Sequence, residues 1–161
     1  TLRDAKLVAF DCETTQLQPE EGKMRLLQLA TFDQAPVIID CWDLDETGWT
    51  QLQDFFKQNR QWLAHNAVFD LGWLQAHNIY PVGKTLCTLL ASRILTNGKI
   101  LPKHPHTLQA LVRRYLSKDL SKEQQRSDWS AELSKEQLVY GANDVLVLLE
   151  LYKPIRQRMS K

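Results

Sequence analysis

The sequence predicts an α/β layered domain, on two observations. Three short apolar runs crowd the first quarter of the chain: Leu7–Phe10, Met24–Phe32 ("MRLLQLATF") and Pro36–Asp40 ("PVIID"). From Trp49 onward the apolar period lengthens to that of a helix, broken by one more short run at Trp62–Ala64. Strands followed by alternating helix and strand give layers of helix against sheet. No linker interrupts the pattern, so residues 1–161 read as a single domain.

Each element has its local reason. The link Thr14–Lys23 holds Pro19 and Gly22 and is too short for a helical crossover, so the first two strands should be antiparallel neighbours. Trp49, Leu52, Phe55 and Phe56 share one helical face. Val68, Leu71, Leu74 and Gln75 form the next, ending before Pro81. Leu86, Leu89, Leu90 and Ile94 suggest a third helix, and Leu108, Leu111, Val112, Tyr115 and Leu116 a fourth. "SKEQ" occurs at Ser121–Gln124 and Ser134–Gln137, and each copy reads as a capping box opening a helix. From Ser134 the chain reads "SKEQLVYGANDVLVLLELYK", apolar around most of its circumference and so buried on more than one side. Pro154 should kink or stop this helix near Lys153.

The bulk properties narrow the function. At 161 residues, 43% hydrophobic and 24% charged, the chain can build a core, and it has no apolar run of the ~18 residues a membrane span needs. Cys12, Cys41 and Cys87 form no CxxC pair, which argues against a zinc ribbon or disulfide framework and suits free thiols in a reducing cytoplasm. Thr1, where a translated chain carries Met, fits a trimmed or excised piece. Net charge is +1, but its distribution is uneven. Acids dominate from Asp4 to Asp54, and bases from Arg93 to Arg126. This fits a metal-holding half and a phosphate-holding half, or simply two solvated faces.

Asp11 and Glu13 stand two apart on the first strand, so both project from one face and Cys12 from the other. Adjacent carboxylates repel unless a cation or a shared proton lies between them; a lysine would neutralise only one. Asp144 lies inside the apolar last helix, four residues after Tyr140 on the same face. Asp70 falls in the first turn of the helix after "AHN", with Asn66 as a candidate N-cap. Each acid has a plain structural alternative: a salt bridge, a dipole contact or a core hydrogen bond. His65 reads as a packed histidine, and His104 and His106 as loop. Together the four acids make an oxygen-only ligand set, which suits Mg²⁺ or Mn²⁺ rather than zinc. Two such ions ~3.5–4 Å apart can support attack on a phosphodiester.

"DCET" (Asp11–Thr14), "HNAVFD" (His65–Asp70) and "YGAND" (Tyr140–Asp144) resemble the three motifs of the DEDD exonucleases, and Tyr140 marks the DEDDy branch. "RSDWS" (Arg126–Ser130) is similar to a stretch of ribonuclease D and Werner-type exonucleases. "DCETTQLQPEEGKMRLLQLA", "HNAVFDLGWL" and "PHTLQALVRRYL" look most like the proofreading domain of bacterial and phage family A DNA polymerases. The resemblance runs from about Leu7 to Tyr152. It implies a ribonuclease-H-like fold, a central five-stranded mixed sheet flanked by helices, and 3′→5′ release of nucleoside 5′-monophosphates. It also implies two divalent cations, Mg²⁺ or Mn²⁺. Asp11 would bridge them, Glu13 and Asp144 would complete one site, Asp70 would support the other, and Tyr140 would orient the attacking water. Thr14, Leu17, Asn66 and Phe69 match positions beside the terminal nucleotides. The expected partner is a single-stranded 3′ end, DNA before RNA, with no membrane and with a DNA polymerase as a possible associate. The alternatives are a ribonuclease D-like enzyme trimming RNA and an inactive nucleic-acid-binding module. Arg113–Arg126 is the expected source of phosphate contacts.

Overall fold

A computed structural model describes residues 1–121, 123–124 and 127–160. Its centre is β1 (Leu7–Thr14), flanked by β2 (Met24–Thr31) and β3 (Gln34–Asp40) on one side and β4 (Arg60–Ala64) and β5 (Gly83–Cys87) on the other. The order β3-β2-β1-β4-β5 forms one mixed sheet. β1 and β2 are antiparallel, as the short link requires, with Ala9 opposite Ala30 and Asp11 opposite Gln28. β1–β4 and β4–β5 are parallel. The sheet and its helices match the expected α/β class.

The alternation of side chains along β1 divides the interior. Val8, Phe10 and Cys12 point to one face, where they meet Trp62, Phe56 and Trp73 under α1 (Glu46–Phe56) and α2 (Ala67–Ala76). Phe10 meets Phe56 and Trp62 edge-on, and Phe56 stacks on Trp62 at 4.6 Å. Ala9 points the other way and, with Ala30 and Leu63, forms a floor for Val145, Leu148 and Leu149 of α5 (Lys135–Met159). The small side chains of Ala9 and Ala30 leave room for that helix. β2 is buried along its whole length. The far side of α5 packs against α3 (Thr88–Leu95) and α4 (Leu108–Leu116) through Val147, Leu151 and Ile155.

Three local expectations differ from the structure. Leu86 belongs to β5, not to the third helix. β5 is an edge strand of mostly exposed, polar residues, so it carries no apolar run to betray it. Gly83 opens it at φ 115°, where a Cβ would collide with the Arg60 carbonyl. The Ser121 copy of "SKEQ" opens no helix among the described residues: the Ser121 hydroxyl accepts from the Glu123 N–H in a local turn, and Lys122 lies outside the described residues. The Ser134 copy does form a reciprocal capping box. Finally, α5 continues through Pro154 to Met159. Proline removes one backbone bond, but Ile155 beyond it is fully buried with Leu111 and Leu151, and that packing carries the helix on.

Candidate active site

The site forms where β1 leaves its parallel neighbour. The β1–β4 ladder pairs Leu7 to Ala9 and goes no further. Beyond it the Cys12 N–H has no strand partner there, and Asp70 Oδ1 accepts its hydrogen bond at 3.0 Å. α2 is aimed for this by Asn66, which holds the left-handed backbone (φ 56°) at the N-cap position. Asn66 makes no side-chain cap bond, so its amide is left to the cleft. The register of β1 on β2 shifts between Glu13 and Thr14, bending the strand end where its carboxylates emerge.

Asp144 comes from across the sheet. Gly141, three residues earlier on α5, sits on the fully buried Gln28 of β2; a Cβ there would lie 2.6 Å from Gln28 Nε2. The missing side chain lets α5 approach closely enough that Asp11, Glu13 and Asp144 each offer a carboxylate oxygen within 4.8 Å of the others. Asp70 lines the same cleft but stands outside this group of three, held by the Cys12 N–H.

Among the described residues no lysine or arginine pairs with these four acids. Burial pushes Glu13 up to about 9, with Asp144 and Asp70 adding to it. Burial likewise raises Asp70 to about 7, against the opposing Cys12 N–H, and Asp144 to about 6, against the opposing Tyr140 hydroxyl. Asp11 lies well above the ordinary carboxylate range, through burial and then the charges of Asp70, Glu13 and Asp144. Asp144 Oδ1 is buried without a hydrogen-bond partner. Clustered oxygens with no protein cation and one orphaned acceptor fit a hard divalent ion. Tyr140 is raised far above the usual phenol range by burial and by Asp144, so it stays neutral.

The cleft over these groups has a volume of about 790 Å³ and is also lined by Thr14, Leu17, Asn66 and Phe69. Leu17 is 81% exposed. Phe69 packs on Trp73 at 6.4 Å and turns its remaining surface to the cleft. All nine residues singled out from the sequence therefore border one cavity. Sequence reasoning missed others. Trp129 stands 6.5 Å from Tyr140, held there because Gln137 closes the capping box and also donates to Ser127 Oγ and the Asp128 carbonyl. His65 lines the cleft, bonded through Nδ1 to Thr88, and burial lowers it to about 4. Arg93, His104 and His106 line it too. Arg113 and Arg114, from which phosphate contacts are expected, do not line the cleft: Arg113 pairs with Asp119, and Arg114 bonds Ser92 and the Pro105 carbonyl. Arg126 lies outside the described residues.

The family model for the 3'-5' exonuclease of A-type DNA polymerases matches residues 1–160. The chain is 30% identical to DNA polymerase I of Aquifex aeolicus over 161 residues, covering 99% of this chain and 25% of that protein. It spans a quarter or less of the length of the curated relatives it matches. Brucella melitensis NrnC bound to pGG superposes with a TM-score of 0.80 at 28% identity, over 98% of this chain and 75% of that one. The catalytic core of RRP6 from Trypanosoma brucei gives a TM-score of 0.82 at 26% identity, over 97% of this chain and 42% of that one. On sequence, fold and acidic cluster together, the chain belongs to the 3'-5' exonuclease family, of the DEDD type.

Proposed function

We propose that residues 1–161 act as one catalytic domain that removes nucleotides from the 3′ end of single-stranded DNA, releasing nucleoside 5′-monophosphates. One observation carries this reading: four carboxylates around one cleft, two of them buried and two half-buried, have no cation to neutralise them among the described residues. Asp11, Glu13 and Asp144 would hold one divalent ion and Asp70, with Asp11, would support a second, Mg²⁺ or Mn²⁺. Ions bound there stabilise developing charge and lower the pKa of a water from ~15.7 toward about 7. Tyr140, held neutral, keeps its proton and orients that water. Phe69 stacks on a terminal base, Leu17 wedges beside it, Asn66 offers its amide, and the backbone at Thr14 receives the terminal hydroxyl. Three unpaired cysteines suit a cytoplasmic setting. The similarity to a DNA polymerase I supports association with a polymerase as its editing module.

A second reading, trimming of RNA 3′ ends, is favoured by the likeness to RRP6 and to NrnC bound to pGG. A competition between 5′-labelled DNA and RNA strands of one sequence decides between them. The primary test is laddering of a labelled single strand with Mg²⁺ or Mn²⁺. No ladder, or a ladder unchanged by Asp11→Ala, defeats the enzymatic reading.

A further inference from the structure

A stretch of the cleft's lining remote in sequence from the acids is basic. Arg93 ends α3, and His104 and His106 sit on the loop into α4. Arg93 is exposed and, among the described residues, pairs with no carboxylate. His106 is fixed from behind. Its Nδ1 lies 3.0 Å from Oγ of Ser92, which is fully buried. Arg114 Nη1 donates to the same Oγ at 3.2 Å, and Nη2 donates to the Pro105 carbonyl at 2.8 Å.

A guanidinium only donates, so the Ser92 oxygen accepts from Arg114; of the two senses open to the 3.0 Å contact with His106 Nδ1, we assign the Ser92 hydroxyl as donor. With Nδ1 accepting, the neutral imidazole carries its proton on Nε2, an assignment made from this network. Burial, with the charges of Arg114 and Arg93, lowers the pKa of the ring and so favours the neutral form. Arg93 therefore stands beside a second donor. The acids of the same cleft repel a polyanion, and this donor pair supplies the opposite chemistry on another part of its lining.

We infer that Arg93 and His106 form a phosphate subsite for a phosphodiester on the 5′ side of the scissile bond, with Ser92 and Arg114 as positioning residues behind His106. The inference rests on the exonuclease reading for which bond is cut, so its test separates binding from cleavage. In an Asp11→Asn background, anisotropy of a labelled oligothymidylate is followed from about 50 to about 200 mM salt. Arg93→Gln should weaken binding about tenfold and flatten the plot of log affinity against log salt by ~0.7. His106→Ala should weaken binding without changing that slope at neutral pH, and His106→Gln, which keeps an N–H donor, should recover part of the loss. Ser92→Ala should mimic His106→Ala and add nothing to it. Arg113→Gln, away from the cleft, should change affinity less than twofold. In the active chain, a methylphosphonate scan should find one upstream linkage whose neutralisation slows cleavage, and Arg93→Gln should abolish that sensitivity. Unchanged affinity and slope in both Arg93→Gln and His106→Ala overturn the subsite, whether or not the chain cleaves. Methylphosphonate sensitivity that persists in Arg93→Gln overturns the assigned contact.

Discussion

Asp11 shows how far a single side chain here is set against its own stability. It is a carboxylate among carboxylates, with no basic partner among the described residues. Asp11→Asn removes charge without removing volume. Its expected outcome is a loss of turnover of about 10²-fold or more, together with a higher melting temperature than the parent in EDTA near pH 8, because the repulsion is gone. Calorimetry and a laddering assay on one preparation check both, and a lower melting temperature contradicts the charge argument. Tyr140→Phe tests a different point. Since the phenol stays neutral across the working range, removing its hydroxyl should lower kcat by up to about 10²-fold through misplaced water while leaving the shape of the pH–rate profile unchanged. Loss of the ascending limb would instead make Tyr140 a titrating base.

At the scale of elements, the approach of α5 to β2 sets the site, and a glycine sets the approach. Gly141→Ala drives a methyl against Gln28, which is fully buried and would lie 2.6 Å away at Nε2 and 3.2 Å at Cγ. The expected cost is ~1–3 kcal/mol from overpacking, with a fall in kcat as Asp144 and Tyr140 move off Asp11. Gly72→Ala in α2 is the matched control: nothing lies within 4 Å of its Cβ position, so relief of backbone entropy should stabilise the chain by ~0.5–1 kcal/mol. Denaturant melts of the two variants should move in opposite directions. This element was partly legible. Its start was marked by Ser134 and Gln137 and its burial by an apolar circumference, but its continuation past Pro154 was not, because the compensating burial of Ile155 comes from α3 and α4.

For the whole molecule, the pH dependence of stability follows from the balance of shifted groups. Asp11, Glu13 (about 9) and Asp70 (about 7) bind protons in the folded chain at a pH where the unfolded chain has released them. The folded state then holds the extra protons, so stability falls as pH rises from about 6.5 to about 9. His65, held near 4, acts with the opposite sign only below ~6.5, the range in which an unfolded histidine charges. In EDTA the melting temperature should fall across this window. Mn²⁺ or Mg²⁺ should raise it most at the upper end, since the ligands bind deprotonated. A melting temperature that rises with pH in EDTA would count against the charge cluster as described.

The sequence by itself determined the α/β class, the antiparallel start of the sheet, the helix opened at Ser134 and the identities of the acids. These rest on periods, links and caps that act over a few residues. It could not locate β5, whose pairing is made by β4 rather than by its own side chains, nor show that Asp70 answers the Cys12 N–H from 58 residues away. Trp129 and Arg93 belonged to the cleft for reasons equally remote in the chain. Which carboxylates meet, which histidines are held and which arginines line the cleft depend on how separate elements pack. That packing energy is shared between residues far apart in sequence, so tertiary structure alone decided it.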